Sequence, residues 1–130
     1  MRIIELDEIK RAIGEIDLIP AIEEGFTAYS EGRTVVPPVG ELILEDPPGE
    51  VHIKYGYLKG DEYYVIKVAS GFYRNAALGL PTGDGLMLLF SQRTGTLVGI
   101  LVDHAHLTDV RCHQGYGCWY LFWRKRWLMA

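Results

Sequence analysis

The chain has 130 residues, 48% of them hydrophobic and 23% charged, so it is long enough for one domain with a hydrophobic core and is unlike a disordered protein. Its net charge of −4 gives no electrostatic reason to expect nucleic acid as a partner. The charge is uneven, because residues 1–111 hold all 17 acidic residues, whereas three of the 13 basic residues, Arg124, Lys125 and Arg126, lie beyond them.

The N-terminal third is predicted to form a strand and two helices. Residues 2–6 are short, β-branched and apolar, which favours a strand. Asp7 is expected to cap a helix that runs through Ile13 and ends at Gly14. Asp17 caps the next helix, and Gly32 ends it. One apolar stripe follows this second helix, formed by Leu18, Ile22, Phe26 and Tyr29.

Strands are predicted from Thr34 onwards. Residues 41–45 form a strand that leads into a turn at 46–49, where proline presets φ and glycine permits positive φ. Runs rich in valine, isoleucine and tyrosine flank Lys59-Gly60-Asp61 and predict a hairpin. A second hairpin is predicted from residues 86–91, the turn 92–95 and residues 96–103.

Residues 71–85 contain four glycines and a proline, so we expect a long loop there, of the kind that is often functional. The outline is α+β, with N-terminal helices packed on a mostly antiparallel sheet. No glycine-rich fingerprint lies between a strand and a helix, so we expect no Rossmann domain.

The segment from residue 65 to 111 resembles the ornithine cyclodeaminase/mu-crystallin family. The resemblance rests on a Lys-Val-Ala-Ser strand, an asparagine-containing loop, Gly-Leu-Pro-Thr, a Thr-Gly hairpin ending in Leu-Val-Asp, and Leu-Thr-x-x-Arg. It implies that residues 1–111 are a substrate-binding and dimerisation domain. It also implies a homodimer, a small amino or imino acid as substrate, and a separate domain for NAD or NADP in full-length relatives. Activities in the family are cyclodeamination, amino-acid dehydrogenation and imino-acid reduction.

The resemblance assigns Lys67 as the catalytic and substrate-binding lysine. The residues support this, because an unpaired buried ammonium in an apolar strand is costly. The alternative is that Lys67 snorkels from a strand edge. The resemblance assigns Thr82 and Arg111 to cofactor binding, with a turn residue and a surface arginine as alternatives. Asn75 matches the loop asparagine or is merely a turn former.

One departure from the family concerns the substrate's carboxylate. Many relatives carry an arginine shortly after the proline of the second strand, whereas residues 36–41 here hold none. Lys54 and His52 alternate with Ile53 and so share one face of a strand. We hypothesise that Lys54 helps replace the missing charge and binds substrate.

No metal site is expected from the sequence. His104 and His106 lack a third ligand and read better as a surface turn. Cys112, His113 and Cys118 do not have a recognised zinc spacing.

Residues 112–130 do not match the family helix expected after Arg111. This tail holds all three tryptophans and both cysteines, and a frameshift is one interpretation. The other is an interfacial membrane helix, because Trp119, Trp123 and Trp127 are four residues apart beside a basic cluster. The N-terminus lacks a secretory signal and no apolar run reaches the roughly 18 residues of a membrane span, so we expect a cytoplasmic protein.

Three functions remain open at this point. The first is part of an NAD(P)-dependent enzyme that on its own is inactive and binds no cofactor, since hydride transfer needs a nicotinamide beside the substrate. The second is a non-catalytic dimerisation or binding module that uses the sheet face. The third is a truncation product without a selected function, whose exposed strands tend to aggregate.

Overall fold

The computed structural model describes residues 1–107, apart from the side chains of Leu18 and Ile22. Two helices and a short strand precede the main sheet. In chain order the elements are β1 Arg2–Ile4, α1 Leu6–Gly14, α2 Leu18–Ser30, β2 Thr34–Val35, β3 Gly40–Glu45, β4 Pro48–Leu58, β5 Tyr63–Gly71, a 3₁₀ helix Tyr73–Leu78, β6 Gly83–Ser91 and β7 Leu97–Leu101.

The seven strands form one sheet in the order β1-β7-β6-β5-β4-β2, with β3 paired to β4. All pairings are antiparallel except that of β1 with β7. The eleven-residue strand β4 is long enough to pair with β3 along its first half and with β2 at its end. The predicted α+β class and the mostly antiparallel sheet are therefore confirmed.

The helix boundaries were predicted well except at the first N-terminus. The N-cap of α1 is Glu5, so the assignment of Asp7 as a cap is wrong, because the first strand ends at Ile4 and the helix starts earlier. Gly14 ends α1 as predicted. Asp17 caps α2, since its carboxylate accepts a hydrogen bond from the Ile19 N–H at 3.3 Å.

The C-terminus of α2 is a Schellman motif. Gly32 has a φ of 71°, its N–H donates to the Tyr29 carbonyl, and the Arg33 N–H donates to the Ala28 carbonyl. The predicted ending at Gly32 is confirmed, because a residue with a Cβ would be strained in that left-handed conformation. Neither α1 nor α2 has the length and apolarity that a membrane-spanning helix requires.

The apolar stripe predicted along α2 does not face the core at its C-terminal end. Phe26 is 51% exposed and Tyr29 is 65% exposed, whereas Ala28 is completely buried. Phe26 and Tyr29, two members of the predicted stripe, therefore lie on the exposed side of α2. The helix turns its small alanine inward instead, and a hydrophobic period alone does not distinguish these two orientations.

The two faces of the sheet differ. On one face, which we call the inner face, four neighbouring strands carry a row of paired residues: Ile4, Leu101, Met87 and Lys67. The buried core residues belong to this face and to the helices that pack on it: Ile4, Ile9, Ala12, Ala28, Leu58, Val65, Met87, Leu89 and Leu101. The opposite side is called the outer face.

Two loop predictions need correction. The turn after β3 comprises only residues 46–47, and Gly49 lies within β4 opposite Leu44. The absence of a side chain at Gly49 is explained by packing and not by a positive φ, since a Cβ there would lie 2.5 Å from the ring of Phe72. The loop predicted at 71–85 is shorter, because residues 83–85 are strand and residues 73–78 form the 3₁₀ helix. Both predicted hairpins are confirmed.

Candidate functional site

Lys67 lies in the middle of the sheet. It is 6% exposed, on β5, between β4 and β6. The interpretation that it snorkels from a strand edge is therefore wrong, because β5 is not an edge strand. Its cross-strand neighbours are Lys54 on β4 and Met87 on β6. Residues directly opposite in an antiparallel pair have Cα atoms only about 4.5–5.5 Å apart. Register thus places the two lysines side by side on the inner face.

Next to these lysines the inner face carries only very small side chains. Moving along β5 from Lys67, the same face holds Ala69 and then Gly71, and their partners on β6 are Gly85 and Gly83. We call this four-residue surface the trough. None of the four is exposed, yet none has a side chain larger than a methyl group. The sheet itself therefore contributes no bulk above this area.

The strand β4 supplies one wall of the trough. Glu50 lies opposite Gly71 and His52 lies opposite Ala69, while Glu41 on β3 lies opposite His52. The His52 Nε2 is 3.5 Å from the Glu50 Oε2. Strand register thus places two carboxylates and an imidazole on the same face as the two lysines.

Tyr73, in the 3₁₀ helix, is tied to this wall. Its hydroxyl donates a hydrogen bond to the Glu50 Oε1 at 2.9 Å. That bond and the negative charge of Glu50 raise the pKa of the phenol above its usual value of 10.0. The contact leaves the Oε2 atom of Glu50 turned toward His52.

The opposite side of the trough is bordered by the chain that follows β7. Asp103 is completely buried and lies two residues beyond Leu101. Its Oδ2 accepts from the Leu107 N–H at 3.1 Å and its main-chain oxygen accepts from the His106 N–H. Among the described residues its Oδ1 has no hydrogen-bond partner. Asp103 therefore closes the turn at His104 and Ala105, because both of its acceptors bind N–H groups on the far side of that turn.

His104 makes a contact with β6 on the outer face, where Asp84 lies opposite Ser70. Its Nδ1 is 2.9 Å from the Asp84 Oδ1, and this hydrogen bond is the main cause that lowers the pKa of Asp84 below its usual 3.8. His104 lies in a turn with a φ of 48°, which agrees with the surface turn predicted for it.

Thr82 and Asn75 lie away from the lysines. The Thr82 carbonyl accepts from the Phe72 N–H, and Phe72 is five residues past Lys67, about 16 Å along an extended strand. Asn75 donates from its side chain to the Pro81 carbonyl at 3.0 Å and receives the Leu80 N–H on its own carbonyl. These bonds favour the turn-former interpretation of Asn75. Arg111 and the whole of residues 112–130 lie outside the described residues.

The described residues do not fit a dinucleotide phosphate site. Phosphate binding at a helix needs free N–H groups and, in a Rossmann unit, glycines between strand and helix. The β1–α1 junction instead passes through Glu5, and Asp7 and Glu8 occupy the first turn. Three carboxylates there would repel a pyrophosphate, so this junction does not fit the phosphates of a dinucleotide.

Sequence reasoning placed Lys54 and His52 correctly on one face of a strand, but it missed that Lys67 lies opposite Lys54, and it missed Glu41, Glu50 and the trough. Alternation within β4 was available from the letters alone, and it also puts Glu50 on the face of His52 and Lys54. The pairing of Glu41 with His52, and of two glycines with Ala69 and Gly71, depends on cross-strand register, which a single sequence does not state.

Comparisons with known proteins agree with one another. The family model described as "Ornithine cyclodeaminase/mu-crystallin family" matches residues 3–118. An uncharacterised cyclodeaminase of Sinorhizobium fredii is 34% identical over 113 residues, covering 85% of this chain and 34% of that protein.

Two solved structures share the fold. A Δ1-pyrroline-2-carboxylate reductase of Thermococcus litoralis, in complex with NADH and L-proline, has a TM-score of 0.75 at 23% identity, over 85% of this chain and 34% of its own. An archaeal alanine dehydrogenase dimer with bound NAD has a TM-score of 0.69 at 26% identity, over 82% of this chain and 32% of its own. The chain therefore spans about a third of the length of each relative.

Proposed function

Because the chain belongs to the ornithine cyclodeaminase/mu-crystallin family, we propose that residues 1–107 form the amino- or imino-acid-binding part of an NAD(P)-dependent enzyme. The observation that carries the proposal is the pair of lysines on adjacent strands beside the trough. Relatives supply the substrate class, since one is a pyrroline-carboxylate reductase and another an alanine dehydrogenase.

The lysine pair is suited to a carboxylate. Like charges directly opposite each other in a sheet destabilise it, and burial in the inner face strengthens every electrostatic interaction. A ligand carboxylate placed between the two side chains would accept hydrogen bonds from both. Lys67, which is buried, would fix the position of the ligand, and the half-buried Lys54 would add a second donor in place of the arginine that is absent from residues 36–41.

The trough explains how a small amino acid could approach these lysines. At Ala69, Gly71, Gly83 and Gly85, β5 and β6 themselves place no bulky side chain on this part of the inner face. Hydride exchange with such a substrate requires a nicotinamide, which supplies the redox chemistry when bound. The residues described here would bind and orient the substrate and shield one side of it from water. Thr82, at the far end of the strands, is kept as a candidate contact to the cofactor. The proposal also keeps the cytoplasmic location expected from the sequence.

The test is an NMR titration of the full chain with L-proline, L-alanine and L-ornithine, each compared with its carboxamide. Binding through the lysine pair predicts amide shifts at residues 54, 67, 69 and 85 for the acids, and none for the amides. Shifts of equal size with acids and amides, or shifts only on the outer face, would remove the proposal.

A second candidate function, self-association through the outer face, is favoured by the burial pattern. From β4 to β7, no residue of the outer face is buried. Yet this face is almost wholly apolar, and Tyr64 and Phe90 stack on it with ring centroids 5.1 Å apart. Its polar side chains are Ser70 and Asp84 at one end, and its apolar side chains are Val51, Ile53, Tyr55, Tyr57, Tyr64, Ile66, Val68, Leu86, Leu88, Phe90, Val98 and Ile100.

We propose that a second copy of the chain covers this surface, because continuous apolar areas of this size are rarely left in water. One relative, the archaeal alanine dehydrogenase, is a dimer. Sedimentation velocity at several concentrations tests the proposal. A monomer at all concentrations would contradict it, whereas a dimer would not by itself decide the substrate proposal.

A further inference from the structure

We propose that Glu41, Glu50 and His52 form a binding site for a divalent transition-metal ion such as Zn²⁺. The three side chains come from two adjacent strands and meet on the inner face, at the β4 wall of the trough. One ligand atom from each of them lies within 4.8 Å of the other two.

The geometry is close to that of a metal centre. Two ligands about 2.1 Å from a tetrahedral Zn²⁺ are about 3.4 Å apart. The His52 Nε2 and the Glu50 Oε2 are already separated by 3.5 Å. Glu41 lies directly opposite His52 and is exposed, so its carboxylate can close the remaining distance by side-chain rotation. The backbone that carries the ligands is a regular antiparallel ladder and needs no rearrangement.

The ligand chemistry favours one class of cation. An imidazole with two carboxylates suits zinc, cobalt and nickel, whereas calcium and magnesium prefer oxygen ligands throughout. Three protein ligands leave a fourth position open in a tetrahedral site, as in catalytic rather than structural zinc centres. The Tyr73 hydroxyl orients Glu50 through Oε1 and leaves Oε2 facing the imidazole, which is the role that outer hydrogen-bond partners play at metal sites.

The site lies beside the lysine pair but does not include it. His52 lies two residues from Lys54 on the same face, about 7 Å along β4. Binding of an ion at this wall therefore does not depend on the substrate proposal. A bound cation would also reduce the electrostatic repulsion between the carboxylates of Glu41 and Glu50 on the inner face.

The experiment is calorimetric titration of the full chain with Zn²⁺, in a background where Cys112→Ser, His113→Ala and Cys118→Ser remove competing ligands. One ion per chain is expected. Glu41→Gln and His52→Gln should each weaken binding at least about ten- to a hundredfold, the range found for loss of outer-shell partners. Two matched controls should leave the affinity unchanged: Glu45→Gln, an exposed glutamate on the same strand, and His104→Gln, which removes the other histidine–carboxylate pair.

Two results would overturn the proposal. One is the absence of saturable binding, and the other is equal affinity in His52→Gln and His104→Gln. A measurement on the unaltered ligand set guards against a folding defect in the variants. In that measurement Zn²⁺ should shift the ¹⁵N resonance of the His52 Nε2 in the background chain. A shift at His104 or His106 without one at His52 would place the ion elsewhere and contradict the assignment.

Discussion

Lys54 and Lys67 lie directly opposite each other on β4 and β5, on the face of the sheet that also carries the hydrophobic core. Lys67 is buried and Lys54 is half-buried. Two lysines side by side on such a face can both donate hydrogen bonds to one anionic ligand. The first two predictions separate the contributions of the two lysines.

Replacing Lys67 by methionine should abolish most of the carboxylate binding while leaving the protein folded. Loss of a charged hydrogen-bond donor costs about 2 kcal/mol of binding free energy. An apolar side chain of similar length should leave the free energy of unfolding unchanged or raised. Titration calorimetry and urea unfolding measure the two quantities. Lys10→Met, on the exposed side of α1, is the control and should change neither. A strongly destabilised Lys67→Met protein would indicate a structural lysine.

Replacing Lys54 by alanine should have a smaller effect on the same affinity. Lys54 is half-buried and therefore better screened by water, so we expect a loss of roughly 1 kcal/mol. The measurement is the same titration, with raised salt as a second variable, because a screened contact weakens more as ionic strength increases. Unchanged affinity in Lys54→Ala would show that Lys54 does not replace the absent arginine.

Gly85→Ala tests the close packing under the trough. A Cβ at this position would lie 2.6 Å from the Val68 carbonyl oxygen, which is backbone and cannot move aside cheaply. We expect a loss of about 1–3 kcal/mol in the free energy of unfolding. Gly14→Ala is the matched control, since nothing lies within 4 Å of its Cβ position and alanine should stabilise the helix end. Urea unfolding measures both variants. Equal unfolding midpoints would show that β5 and β6 are more loosely paired than described.

A charge on the outer face should dissociate the proposed dimer. Tyr55 is 39% exposed on this face, and Tyr55→Glu would bury a carboxylate between two copies. Loss of a central aromatic contact should cost at least about 2 kcal/mol of association free energy. Sedimentation equilibrium gives this value directly. Ile19→Glu, an equally apolar exposed position on α2, is the control and should not alter the association. The interface would have to be sought on α2 if only the control dissociated.

The His104–Asp84 contact predicts a defined acid response. Because the pKa of Asp84 is lowered in the folded state, its ionisation stabilises the fold above the usual value of 3.8, and this stability is lost as the pH falls through the folded-state pKa. In a ¹³C NMR titration, His104→Ala should raise the Asp84 pKa toward 3.8. The value should stay somewhat below it, because the Gly85 N–H still donates to the same carboxylate. An unchanged pKa in the variant would show that the backbone bond alone is responsible.

Much of the fold could be predicted from local signals. Asp17 and Gly32 mark the ends of α2, and the turns at Gly60 and around Gly95 mark two hairpins, because capping and left-handed residues act over four or five residues of chain. The failures came where tertiary packing decides. Phe26 and Tyr29 have the period of a buried stripe, yet the buried residue of that turn is Ala28. Gly49 was attributed to turn geometry, although it is the ring of Phe72 that excludes a side chain there.

The sequence by itself determined the family, the α+β class, the order of the elements and the candidate lysine, because motifs and alternation are properties of neighbouring residues along the chain. Only the tertiary structure decided that Lys54 faces Lys67, that Glu41 faces His52, and that Ala69 and Gly71 pair with two glycines of β6. The physical reason is strand register. A shift of one residue between two strands would send every one of these side chains to the other face, and nothing in the letters of one strand records the alignment of the next.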